Sequence, residues 1–143
     1  ADGDWLLSLR GDHEAAKLTF LRFSAATGKA TTLSTPSDLA TVGVDPTATT
    51  LAPTANGGFA ALLESSFQFT AEVSLGSFSA TGEKRFLVAE EFEDPNALFS
   101  AKDVTSTADG TIVELEHVRR AVKYFTPEGA LSRTVSLTGP GGW

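Results

Sequence analysis

The sequence predicts an all-β, antiparallel fold, and three observations carry that expectation. Glycine turns recur in a fixed order along the chain. The segments between them are short, alternate in polarity and are rich in β-branched and aromatic residues. Helical periodicity is nearly absent: its best stretch, 108–120, holds Thr111-Ile112-Val113 between two glycine turns and reads as a strand.

The first recurring pattern is a turn that runs into an apolar strand: Asp2-Gly3-Asp4-Trp5, Asn56-Gly57-Gly58-Phe59, Asp109-Gly110-Thr111-Ile112 and a last, short Pro140-Gly141-Gly142-Trp143. The second is an aromatic residue leading to another glycine: Phe23 to Gly28, Phe78 to Gly82 and Phe125 to Gly129. The two kinds of glycine are 25, 25 and 19 residues apart. A period of about 50 residues marks an array of supersecondary units. One all-β domain is expected over 1–143, with units at approximately 1–54, 55–107 and 108–143.

In the first unit, strands are expected at 4–9, 17–23, 29–34 and 39–44. In the second they fall at 58–63, 67–78, 84–89 and 98–104, and in the third at 111–116, 121–125 and 131–137. Leu18, Phe20 and Arg22 share one strand face. In 113–118 the acids Glu114 and Glu116 face one way and the apolar residues the other. Asp-Gly and Asn-Gly reach positive φ at little cost, and Gly28, Gly82 and Gly129 stand where tight hairpins need them. The stretch 35–53, with three prolines among Ser, Asp and Thr, reads mostly as loop, and 90–96 as a second long loop.

Composition narrows the function classes. A chain of 143 residues fits one domain and can bury roughly 68% of its unfolded surface. Its 41% apolar and 20% charged residues are those of an ordinary globule. Apolar runs such as 59–63 are far too short for a membrane span. The formal charge of −7, with adjacent cations only at Lys84-Arg85 and Arg119-Arg120, argues against nucleic acid as a partner. Without cysteine there are no disulfides, thiolate nucleophiles or Cys-ligated zinc. The Ala1-Asp2 start suits signal-peptide cleavage and points to a secreted or extracytoplasmic protein; a cut boundary explains it equally well.

The order turn, strand, strand, Phe-x-x-x-Gly, strand resembles the blades of a β-propeller. Residues 107–113 and 124–129 are its most blade-like phrases, and the resemblance covers nearly the whole chain. It implies about three blades of three to four strands. Propellers close with roughly four to eight blades, so three leave two open flanks, each exposing an apolar face and unpaired edges. The resemblance therefore implies a homo-oligomer, such as a dimer forming a six-bladed ring, or a piece of a larger propeller. Gly141-Gly142-Trp143 of one copy would meet Asp2-Gly3-Asp4-Trp5 of the next. The alternative is an unrelated sandwich or barrel with evenly spaced hairpins.

No G-x-S-x-G elbow is present, His13 and His117 read as isolated surface residues, and no catalytic residue is assigned. Glu90, Glu91, Glu93 and Asp94 cluster in one loop, with Glu64 and Glu72 in or near strands, which is the raw material for a carboxylate pair. No cofactor is expected, with calcium the one candidate. Its oxygen ligands would be Asp2 and Asp4, or Glu91, Glu93, Asp94 and Asn96. Most aromatics serve core packing. Trp5 and Trp143 are candidate ligand contacts, as stacking surfaces for carbohydrate, and Glu91, Glu93 and Asp94 of the acidic loop are further candidates. The leading expectation is a non-enzymatic scaffold or recognition module acting as an oligomeric ring, with carbohydrate or protein ligands held by loops 35–53 and 90–96. One alternative is a small lipocalin-like barrel around an apolar ligand, for which Gly3-Asp4-Trp5 echoes an opening Gly-x-Trp. The other is a glycosidase-like hydrolase, which requires a cleft with two carboxylates, one of raised pKa.

Overall fold

The computed structural model describes residues 4–10, 18–34, 36, 39, 47–67, 70–89 and 101–137. Strands β1 (Trp5–Arg10), β2 (Leu18–Ser24) and β3 (Lys29–Thr32) form a first sheet. Strands β4 (Thr47–Pro53), β5 (Phe59–Phe67), β6 (Thr70–Phe78) and β7 (Lys84–Ala89) form a middle sheet. Strands β8 (Ala101–Ser106), β9 (Ile112–Glu116), β10 (Ala121–Phe125) and β11 (Leu131–Ser136) form the last. Every pairing is antiparallel and follows chain order. The fold is all-β, in antiparallel sheets consistent with propeller-like blades. One 3-10 turn, Ala55–Gly57, is the sole helical element among the described residues, and no helix there is long and apolar enough to cross a membrane.

The sheets stack in chain order, and β5 shows why. Its opening Phe59-Ala60-Ala61-Leu62-Leu63 lacks the polar alternation of a half-solvated strand because both faces are covered. Phe59, Ala61 and Leu63 join Phe78 and the first sheet's Leu18 and Phe20 in one core cluster. Ala60 and Leu62 join Leu75 and the last sheet's Ala101, Val104, Ile112 and Phe125 in another. The Phe20 ring sits edge-on to Phe59, centroids 4.8 Å apart, and 5.1 Å from Phe78, while Phe59 and Phe78 stack at 4.9 Å. Burying each such side chain stabilises the stack by about 2–3 kcal/mol. Small residues set the spacing: a Cβ on Gly76 would lie 2.7 Å from the Phe78 ring.

Three features depart from the sequence expectation. Strand β4 lies within 35–53, read there as loop. Its Thr47-Ala48-Thr49-Thr50-Leu51-Ala52 is β-branched enough to pair with β5, through a bulge between Ala48 and Thr50, and Pro53 closes the strand at its end, where a missing N–H costs least. More consequentially, β4 and β8 pair forward, with β5 and β9. The Asn56-Gly57 and Asp109-Gly110 turns thus lie inside sheets rather than between them, and the passages from sheet to sheet are 33–46 and 90–100. The units drawn at 54 and 107 each hand their last strand to the following sheet. Strand β5 also runs past Leu63 to Phe67. The expected strand at 39–44 lies outside the described residues, except for Leu39, which is buried and not in a strand.

Candidate functional site

Three cross-strand pairs occupy equivalent places. Each joins the first residue of the strand after the repeat's Gly turn to the Phe that precedes the second glycine: Trp5 with Phe23, Phe59 with Phe78, Ile112 with Phe125. The second pair is buried against the first sheet and the third against the middle sheet. The first pair faces away from the stack. Trp5 is 65% exposed, against 1% for Phe59 and 1% for Ile112, and Leu7 beside it is exposed as well. An indole left in water forfeits most of the transfer free energy that its counterparts gain.

Trp5 also walls a groove of about 350 Å³ where the first and middle sheets meet, lined by Asp4, Leu6, Arg22, Thr54, Gly57 and Phe59 among others. Arg22 projects from the inward face of β2 and donates to the Gly57 carbonyl at 2.7 Å. Asp4 is exposed at the rim. The buried Thr54 Oγ1 has no hydrogen-bond partner among the described residues. The Asp4 carboxylate and the Arg22 guanidinium, set beside apolar walls, are contacts suited to a sugar ring or an extended peptide. The matching space between the middle and last sheets, walled by Ala55, Arg85, Asp109 and Pro127, measures only about 50 Å³.

A second cluster lies between the middle and last sheets. Glu114 and Glu116 are completely buried, as is Lys123, whose Nζ lies 3.2 Å from Glu116 Oε2. Arg119 Nε approaches Glu116 at 3.7 Å. Neither oxygen of Glu114 has a hydrogen-bond partner among the described residues. Burial first, and the neighbouring Glu116 second, push its carboxyl up to about 8, with Lys123 pulling the other way. The alternation of acids and apolar residues along β9 holds as expected, and it is the acids' face that turns inward, while Leu115 is partly exposed. Sequence reasoning missed this cluster because charge reads as solvent-facing. The one available signal was that Lys123 sits directly opposite Glu114 across the β9–β10 hairpin.

Of the residues singled out from sequence, Trp5 and Asp4 meet in the groove. Trp143, Glu91, Glu93, Asp94, Asp2 and Asn96 lie outside the described residues, as do His13 and Glu90. Glu64 and His117 are exposed. No group of three or more metal-ligating side chains occurs among the described residues.

No family model matches the chain, and no curated protein matches it. Among solved structures it is similar to a protein of unknown function from Bacteroides caccae, with 11% identity and a TM-score of 0.36 over 95% of this chain and 58% of that one. It is likewise similar to a streptogramin B lyase structure, with 11% identity and a TM-score of 0.36 over 94% of this chain and 59% of that one. The chain thus spans under two thirds of the length of each. A likeness at this level assigns no activity to the chain.

Proposed function

We propose that the protein is a non-enzymatic, propeller-like scaffold or recognition module that works as a ring completed by association with a second copy. The observation that supports this most directly is the outward-facing Trp5–Phe23 pair, whose two counterparts are buried against a neighbouring sheet. Two chains of three sheets make six blades, within the usual range of about four to eight for closed rings. Solution mass tests the reading: light scattering is expected to give twice the 15.0 kDa chain mass, and a lone 15.0 kDa particle at micromolar concentration refutes it.

The groove between the first and middle sheets is the proposed ligand contact, with carbohydrate the favoured class because Asp4 and Arg22 line it beside apolar walls. A glycan panel is expected to yield a binder that Arg22→Ala weakens at least about tenfold at unchanged solution mass, and binding unaffected by that substitution removes the groove from consideration. The alternatives are less well supported. A lipocalin-like barrel needs one continuous sheet, whereas the strands fall into three. A hydrolase would draw on the acidic loop with Glu90, Glu91, Glu93 and Asp94, which lies outside the described residues, and Glu64 is an exposed single carboxylate.

A further inference from the structure

We infer that the ring is joined head to tail, with the outer face of the last sheet of one copy seated on the Trp5–Phe23 face of the next. The inference rests on the ring reading above, and it is carried by a repeated packing rule within the chain.

Each sheet has one face built to receive and one built to insert. The receiving faces are the cross-strand pairs Phe59–Phe78 and Ile112–Phe125. What enters the first is Phe20, three residues before Phe23 and hence on the opposite face of β2. The equivalent position of the middle sheet, three residues before Phe78, is Leu75, and it shares a core cluster with Ile112 and Phe125. In the last sheet that position is Val122. It is only half-buried, and its partners across β9 and β11, Leu115 and Val135, are 39% and 38% exposed. The same row in the middle sheet is Leu62, Leu75 and Val88, all packed against the last sheet. The chain therefore carries one receiving face without an insert and one inserting row without a receiver, and they are of matching kind.

The second glycines mark the same direction. A Cβ on Gly82 would collide with the Ser34 carbonyl, two residues past β3 of the first sheet, and one on Gly129 would lie 2.6 Å from the Phe86 ring of the middle sheet. The equivalent Gly28 has nothing within 4 Å. Each of these turns is tucked against the preceding sheet, and the first sheet has no described sheet before it. A contact between two unlike faces is heterologous, and two copies close it into a ring with two identical junctions. A face-to-face dimer of two Trp5 surfaces would bury the indoles but leave both Val122 rows in water.

The absence of native cysteine makes disulfide trapping free of background. Chains carrying Phe23→Cys are mixed with chains carrying Val122→Cys and oxidised. The expected product is a disulfide-linked dimer with one chain of each kind, while neither variant links to itself. Self-linking of Phe23→Cys without mixed product overturns the head-to-tail junction but leaves the ring reading intact, provided the wild-type mass is that of a dimer. A monomeric wild-type mass overturns both. Val122→Asp, which lies outside both internal interfaces, is expected to give a folded 15.0 kDa monomer with unchanged circular dichroism. A Val122→Asp dimer as tight as wild type overturns the junction independently of trapping.

Discussion

Lys123 Nζ lies 3.2 Å from Glu116 Oε2 with both side chains out of reach of solvent, so one wall of the interface between the middle and last sheets is ionic. Lys123→Met leaves Glu116 with the partly exposed Arg119 among its described partners and takes from Glu114 the cation that lowers its carboxyl. Removing one partner of a buried pair costs about 3–5 kcal/mol, and chemical denaturation is expected to show a loss in that range. A loss near zero would mean that water already reaches the pair.

Stability is expected to fall as pH rises from the ordinary carboxyl range toward 8. Glu114 holds its proton up to about 8 in the native state, against 4.5 for the unfolded chain. The native state thus binds that proton more tightly; its contribution is whole below pH 4.5 and is lost as pH climbs through about 8. Glu114→Gln keeps the neutral shape without the titration. Its melting temperature, scanned across this window, is expected to vary less with pH than that of wild type and to exceed it at the alkaline end.

Gly82 and Gly28 both sit at positive φ, +92° and +66°, but only Gly82 abuts another sheet. Gly28→Ala is expected to cost about 1–2 kcal/mol, the left-handed penalty for an L residue. Gly82→Ala adds the collision with Ser34, whose N–H donates to the Thr81 carbonyl at 2.8 Å, and is expected to cost more than twice as much. Equal losses in thermal unfolding would show that the first sheet yields freely at this corner.

Phe20→Ala empties the space between Phe59 and Phe78, a change that costs about 3–5 kcal/mol in a packed core. Trp5→Ala, introduced into the Val122→Asp monomer, removes an exposed ring and is expected to change stability by no more than about 1 kcal/mol. Urea titrations of the two variants separate a core aromatic from an interface aromatic of the same sheet.

Much of the fold was legible in the sequence because turn chemistry is local. Gly28, Gly82, Gly110 and Gly129 all take the positive φ that their hairpins require, and ten of the eleven strands lie at or near their expected positions. Strand β4 was hidden by the prolines around it. The forward pairing of β4 and β8 was not legible, since a strand's partner depends on tertiary distance rather than on its own residues. Exposure of Trp5 followed from counting blades, and its place beside Asp4 from their adjacency in sequence. The burial of Glu114 and Glu116 could not be read, because alternation tells which residues share a face and not which face meets solvent.

The forward pairing has a practical consequence. A segment running from one repeat glycine to the next straddles two sheets, so the tile that folds is out of step with the text that repeats by a single strand. Any cut, graft or circular permutation made at a glycine corner would tear a ribbon from its neighbour. Those made within 33–46 or 90–100 would lift a whole tile, and each tile added there would arrive already stitched.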